Sequence, residues 1–240
     1  MQEGFCHKLG LGVPLTTWHV ARDGFAEFAS TVAMIAGTVG KIANEFINLE
    51  RTEICELEEG FSMGKVGSST MPHKRNPMVC ENILANCRII QANAGLGFGA
   101  MIQEHERDMS FWQTEWSYLP QICILLDNVM SELQKILQGM IVRKEQIKHN
   151  LYLTKGLIVS EHVMLTLGHY LGRQNAHEVI YEASMKAFEQ NRMLEDVLKE
   201  DERVTSKISN EILDEVLEPM HYTGACEAMV ERVVRKLADI

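Results

Sequence analysis

Proline is scarce in this chain. Its five prolines, Pro14, Pro72, Pro77, Pro120 and Pro219, leave long stretches after Pro14 and after Pro120 in which helices run without a ring to break them. Strand-type alternation of apolar and polar residues is scarce too, which points to an all-α chain. Positive charge is in deficit, with 23 Lys and Arg against 33 Asp and Glu and a net charge of -10. That balance disfavours a general nucleic-acid role, because neutralising phosphates needs clustered cations. The six cysteines, Cys6, Cys55, Cys80, Cys87, Cys123 and Cys226, contain no C-x-x-C pair and form no disulfide framework, so free buried thiols in a reducing compartment are expected. No signal peptide opens the chain, and no apolar run reaches bilayer-spanning length. These absences lead to the expectation of a soluble cytoplasmic protein with no membrane partner. The nine histidines lack H-E-x-x-H spacing, so neither a metal site nor a cofactor is expected.

What is present is helical periodicity. Phe25, Phe28, Ala29, Val32, Ile35, Ala36, Val39, Ile42, Ala43, Phe46 and Leu49 step by threes and fours, which is one helix face sustained over several heptads. A second helix is predicted from about Val79 through Gln91 towards Gly95. A third is predicted to start near Pro120, a residue suited to a first turn, with Ile122, Leu126, Val129, Leu133, Ile136 and Met140 as its stripe. Long apolar seams on a short chain point to a bundle completed by other subunits. After Gly139 the elements shorten, with breaks expected at Gly156, Gly168, Gly172, Asn191 and Pro219. The expected organisation is a long-helix bundle domain over 1–140 and a small helical domain over 141–240.

One stretch opposes the acidic, helical character of the rest. "GKVGSSTMPHKRNP", Gly64 to Pro77, holds helix breakers, hydroxyls, basic groups and no acid. A Walker-type phosphate loop is excluded by the order of its residues. What remains is a set of hydroxyls (Ser68, Ser69, Thr70), cations (Lys74, Arg75) and an amide (Asn76) that suits a carboxylate-rich ligand. A serine in such a loop takes a proton only where backbone N–H groups and cations stabilise its alkoxide.

The segment "GSSTMPHKRNP" resembles the signature loop of the fumarase/aspartase superfamily, G-S-S-x-M-P-x-K-x-N-P, at every fixed position from Gly67 to Pro77. The segments "PLTTWHVARD", "QEHERD", "EWSYLP" and "LTKGLIVSE" extend the likeness to the branch of adenylosuccinate lyase and 3-carboxy-cis,cis-muconate cycloisomerase. The resemblance implies a long helical bundle with a small C-terminal domain, assembled as a homotetramer whose active sites are shared between subunits. It also implies elimination of a group β to a carboxylate, or the reverse addition, through an aci-carboxylate intermediate. By motif position Ser68 is the implied base. Lys74 and Asn76 are the implied carboxylate ligands, and Ser69 and Thr70 lie beside them as substrate-binding candidates. The resemblance further implies that this chain is the C-terminal portion of a longer enzyme and that the general acid lies outside it.

Two further segments bear on the substrate. In "QEHERDMSFWQTEW" Arg107 is a candidate for substrate or loop support, and the head of the segment also reads as a solvated turn. Where adenylosuccinate lyases resemble "HERDISHSS-x-ER", this chain has Phe111, Trp112, Gln113 and Trp116, which removes donors that a phosphate needs. In "TTWHVARD" His19 and Arg22 are substrate-binding candidates. Arg22 either binds an anion or pairs with a carboxylate such as Asp23 or Glu27, and Trp18 doubles as a packing anchor. The reading that follows is superfamily lyase chemistry on a small polycarboxylate of the cycloisomerase type. The alternatives are adenylosuccinate cleavage to fumarate and AMP, and a non-catalytic helical scaffold.

Overall fold

The computed structural model describes residues 1–60, 70–71 and 74–238. Among them the only strands are β1 (Leu57–Glu58) and β2 (Ile141–Val142); the other elements are helical, as the scarcity of alternation required. The chain divides into two compact units, Met1–Lys144 and Glu145–Ile240.

In the first unit a short helix, α1 (Gln2–Leu9), precedes three long ones: α2 (Asp23–Leu49), α3 (Met78–Gly99) and α4 (Met109–Gly139). The predicted stripe of α2 is used in large part inside the chain. Ala29, Val32, Ala36, Val39, Ala43 and Phe46 are buried against Cys80, Ile83, Cys87 and Ile90 of α3 and against Tyr118, Ile122, Val129 and Leu133 of α4. Burying one large aliphatic side chain contributes about 1.5–3 kcal/mol, so this shared core is what holds the three helices together. Phe25, Phe28, Met34 and Ile35 of α2 remain exposed, as do Ile124 and Met130 of α4.

Contacts of running register fix the helix directions. A Cβ on Gly97 would meet Ala26 and Ala29, one on Gly37 would meet Gln91, and one on Gly40 would meet Cys87, so α2 and α3 are antiparallel. The third long helix turns back once more. Asn93 Nδ2 donates to Gln121 Oε1 at 3.0 Å, and Gly139 at the far end of α4 lies against Gly60. There β1 pairs antiparallel with β2, Leu57 opposite Val142 and Glu58 opposite Ile141. Gly60 is obligatory at this crossing, since a Cβ would stand 2.6 Å from the Gly139 carbonyl oxygen.

In the first unit three expectations about the helices change. The third long helix starts at Met109, not near Pro120, which lies inside it. Asp108 supplies the true start, its side chain accepting from the Ser110 N–H at 2.9 Å. The buried Tyr118 and Ile122 on either side of Pro120 offset its missing N–H. The helix around Gln91 runs on to Gly99. Finally, α2 is long and apolar enough to cross a bilayer by length and composition. A search for unbroken apolar runs does not register it, because isolated charges such as Lys41 interrupt the run. Its buried face against α3 and α4 is that of a core helix.

The second unit holds all but the first residue of α5 (Lys144–Leu151), and α6 (Ser160–Leu171), α7 (Arg173–Glu189), α8 (Leu194–Lys199), α9 (Glu202–Thr205), α10 (Asn210–Leu217) and α11 (Cys226–Ala238). Val163 and Leu167 of α6, Val179 and Ala183 of α7, and Leu194 and Leu198 of α8 form its core with Leu213 and Leu217 of α10. Gly156, Gly172 and Asn191 have positive φ and mark real breaks; Gly168 lies within α6.

The close approach of α2 and α3 is testable at neighbouring glycines. A Cβ at Gly97 would lie 3.3 Å from Ala26 Cα and Ala29 Cβ, whereas one at Gly95 meets nothing within 4 Å. Gly97→Val should destabilise by about 1–3 kcal/mol through overpacking. Gly95→Ala should stabilise by about 0.5–1 kcal/mol by removing helix-interior glycine. Urea midpoints moving in opposite directions are the expected result.

Candidate active site

The candidate residues fall at two ends of the bundle. The first group surrounds the C-terminal root of the signature loop. Ser68 and Ser69 lie outside the described residues. Thr70 and Lys74 are exposed and Asn76 is half-buried. The Lys74 N–H donates to the Met71 carbonyl at 3.0 Å, and the Met78 N–H donates to the Asn76 carbonyl at 2.8 Å, so the chain is already turning into α3.

Two consecutive glutamates fasten this root. Glu58, at the end of β1, is 4% exposed. Its Oε1 accepts from Arg75 Nη1. Its Oε2 accepts from Arg143 Nε at 3.0 Å and also from Arg143 Nη2. Burial alone would raise the Glu58 carboxyl, but the hydrogen bonds and charges of Arg75 and Arg143 outweigh it and hold the group below its ordinary value. Glu59, equally buried, turns to α3 instead. Its Oε1 accepts from the Cys80 N–H at 2.7 Å, and its Oε2 faces the Val79 N–H at 3.4 Å. A carboxylate on these first-turn donors caps the helix and meets the positive end of its dipole. Glu50 Oε2 in turn accepts from the Glu59 N–H at 3.1 Å. Neither Glu58 nor Arg143 was among the sequence candidates. The one local signal was an acidic pair standing immediately before a basic loop.

The second group lies at the opposite end. Arg22 and Glu115 are 2% and 3% exposed and form a bidentate pair, Nε to Oε1 at 2.7 Å and Nη2 to Oε2 at 2.5 Å. Arg22 Nη1 donates to the His19 carbonyl at 3.1 Å, and the guanidinium sits 4.2 Å from the Phe25 ring centroid. The carboxylate partner of Arg22 is therefore Glu115 and not Asp23 or Glu27. The pair joins the "TTWHVARD" segment to "WQTEW" across 93 residues. Tyr118, one turn further along α4, is fully buried; desolvation and then the Glu115 charge push its hydroxyl up. His19 is half-buried with its ring stacked on Trp18, centroids 5.0 Å apart.

Arg107 is exposed in the turn before α4. The neighbouring Asp108 is a cap: besides the Ser110 N–H it accepts from Ser110 Oγ at 2.6 Å and from the Glu104 N–H at 3.2 Å. Trp112 is half-buried, and Trp116 is 65% exposed. The 27 residues of α2 separate the two groups by about 40 Å at 1.5 Å per residue. One copy of the chain thus brings Lys74, Asn76 and the loop root together, and His19 and Arg22 together, but keeps the two sets apart.

Comparison with known proteins matches both parts of the chain. Residues 1–92 match the Lyase family model, and residues 156–233 match the model for the adenylosuccinate lyase C-terminus. The chain is 45% identical to the N-acetyl-S-(2-succino)cysteine lyase of Dickeya dadantii over 95% of its own length and 50% of the relative's. It is 38% identical to the 3-carboxy-cis,cis-muconate cycloisomerase of Pseudomonas aeruginosa, again over 95% of this chain and 50% of the relative. The crystal structure of the 3-carboxy-cis,cis-muconate lactonizing enzyme from Pseudomonas putida superposes with a TM-score of 0.89 at 35% identity, covering 98% of this chain and 51% of that one. The chain spans about half the length of these relatives.

Two outcomes test the electrostatics described above. Glu115→Ala should cost about 3–5 kcal/mol, because it leaves the Arg22 guanidinium buried without its carboxylate. The double variant Arg22→Met/Glu115→Leu should recover most of that loss in chemical denaturation. The Glu58 carboxyl is lowered on folding from an ordinary value of 4.5. Its contribution is therefore present above that value and lost as the pH falls below it towards the folded value. Stability measured against pH should decline below about 4.5, and the decline should be shallower in Glu58→Gln.

Proposed function

The chain belongs to the fumarase/aspartase superfamily, and on that premise we propose that the protein is a lyase that eliminates a group β to a carboxylate of a small, non-nucleotide polycarboxylate. In this reading the first unit is part of the central bundle and the second is the C-terminal domain. The observation that carries the reading is the full signature from Gly67 to Pro77, set on a root where Lys74 stands exposed.

In the proposed reaction Ser68 takes a proton from the carbon next to one carboxylate. The electron pair moves into that carboxylate as an aci-carboxylate, then returns to form the double bond as the bond to the leaving group breaks. Lys74 and Asn76 hold the carboxylate on which charge builds, with Ser69 and Thr70 as neighbouring donors. A compact ammonium suits a dianionic intermediate. The leaving group collects its proton from a general acid outside this chain. Arg22 acts through its pairing with Glu115, holding the segment that carries His19; His19 and Arg107 are the candidates to reach substrate.

A thioether of succinate is the first candidate substrate, since the relative at 45% identity is named for one. Elimination would give fumarate and a thiol. A carboxymuconate, for which the relative at 38% identity is named, is the second member of the same class. Phe111, Trp112, Gln113 and Trp116 supply no cation for a phosphate monoester. Adenylosuccinate cleavage stays as the second reading because of the family match at 156–233.

We further propose a cytoplasmic homotetramer with shared sites. A site that uses both the loop root and His19 or Arg107 has to draw them from different copies, given their separation along α2. The exposed Phe25, Phe28, Met34 and Ile35 supply an apolar surface for such contacts.

The test is a steady-state assay of the whole protein on N-acetyl-S-(2-succino)cysteine, 3-carboxy-cis,cis-muconate and adenylosuccinate. Turnover of one of the first two is expected. The kcat/KM for adenylosuccinate should be lower by about 100-fold, the value of a few kcal/mol of unpaired phosphate. Ser68→Ala should reduce kcat by about 10²–10⁴-fold. Efficient release of AMP with no turnover of the other two would reverse the assignment.

A further inference from the structure

The acidic pair before the loop does more than close a strand. Arg75 lies between Lys74 and Asn76, so whatever fixes Arg75 fixes the backbone from which both neighbours project. Its partner Glu58 is buried, while Arg75 and Arg143 have side chains about half exposed, 47% and 41%. The buried carboxylate is thus the fixed point, with one arginine on each oxygen: Arg75 on Oε1, Arg143 on Oε2. Arg143 is itself held, its N–H donating to the Glu56 carbonyl at 2.9 Å next to the β1–β2 pairing. One residue on, Glu59 caps α3 at Cys80. The stretch from Lys74 to Asn76 is therefore clamped from both sides by consecutive residues of one strand end.

We propose that Glu58, braced by Arg143, is a positioning residue that sets where Lys74 and Asn76 stand, and so sets the affinity for the substrate carboxylate. The inference rests on the lyase reading for its functional consequence, but the clamp itself does not. It is distinct from the roles of Ser68, Lys74 and Asn76, because Glu58 acts through Arg75. The carboxylate held by Lys74 and Asn76 is charged in the ground state and gains charge in the intermediate, so loosening them weakens binding of the substrate and weakens that of the intermediate further. The effect then falls on KM and on kcat together.

Two readouts on the whole protein test this. The first is limited trypsin cleavage after Lys74 and Arg75, which needs no substrate. Glu58→Gln is close to isosteric and keeps acceptor capacity, but removes the charge that both arginines share. Cleavage there should speed up by about tenfold or more. Arg143→Gln, which leaves the Arg75–Glu58 contact in place, should give a smaller increase, and Arg143→Lys should restore most of the protection. Lys135→Gln, which breaks the exposed pair with Glu132, should change nothing. The second readout is the KM against kcat split on whichever substrate the protein turns over. Glu58→Gln should raise KM by about tenfold and lower kcat as well, and Arg143→Lys should track the proteolysis result. Unchanged cleavage in Glu58→Gln would overturn the clamp. Faster cleavage with unchanged KM would overturn its positioning role. A wild-type protein inactive on all three substrates would overturn the lyase reading, and the proteolysis series would still decide the clamp.

Discussion

Two neighbouring carboxylates taken out of water set the constraint on which the rest of the first unit turns. Each buried charge costs several kcal/mol unless paired and hydrogen-bonded. Glu58 and Glu59 meet that requirement in different currencies: Glu58 with two guanidinium groups, Glu59 with first-turn N–H groups of α3. To satisfy both, the end of β1, the start of α3, the strand after α4 and the last residues of the signature loop must converge on one place. The crossing of Gly60 over Gly139 is the steric counterpart of the same convergence. A buried carboxylate with a guanidinium on each oxygen gives Lys74 and Asn76 a fixed root.

The long helices then act as spacers. They carry the loop root at one end and the buried Arg22–Glu115 pair at the other. That second pair ties the segment before α2 to the first third of α4, and so holds His19 and the exposed indole of Trp116 on the same end of the bundle. In the proposed assembly, antiparallel copies would convert this separation into proximity, the loop end of one copy meeting the His19 end of another. The exposed apolar residues along the bundle, Phe25, Phe28, Met34 and Ile35 among them, are the surface that the proposed assembly would use.

Much of this was legible in the sequence. The period of α2 gave a helix within a residue or two of its observed ends, because no proline interrupts it and its buried face is regular. The loop was recognisable because its order of residue types is specific, although its two serines lie outside the described residues. What escaped was long-range. Arg22 has two acids within five residues, Asp23 and Glu27, yet pairs with Glu115, because only that partner is buried with it. Glu58 meets partners 17 and 85 residues away, and two-residue strands leave no period to read. Local rules make Pro120 a helix start, whereas the Asp108 cap and the packing of Tyr118 and Ile122 carry the helix through it.

In the proposed site Lys74 and Asn76 form a carboxylate clamp that a second copy of the chain completes. The most direct measurement is a crystal structure of the whole protein with an unreactive dicarboxylate such as succinate. One carboxylate is expected to accept from Lys74 Nζ and from the Asn76 amide of one copy, with His19 or Arg107 of a different copy facing the same ligand and Arg75 still on Glu58. A dicarboxylate bound away from Lys74 and Asn76, or bound entirely by residues of a single copy, would contradict it.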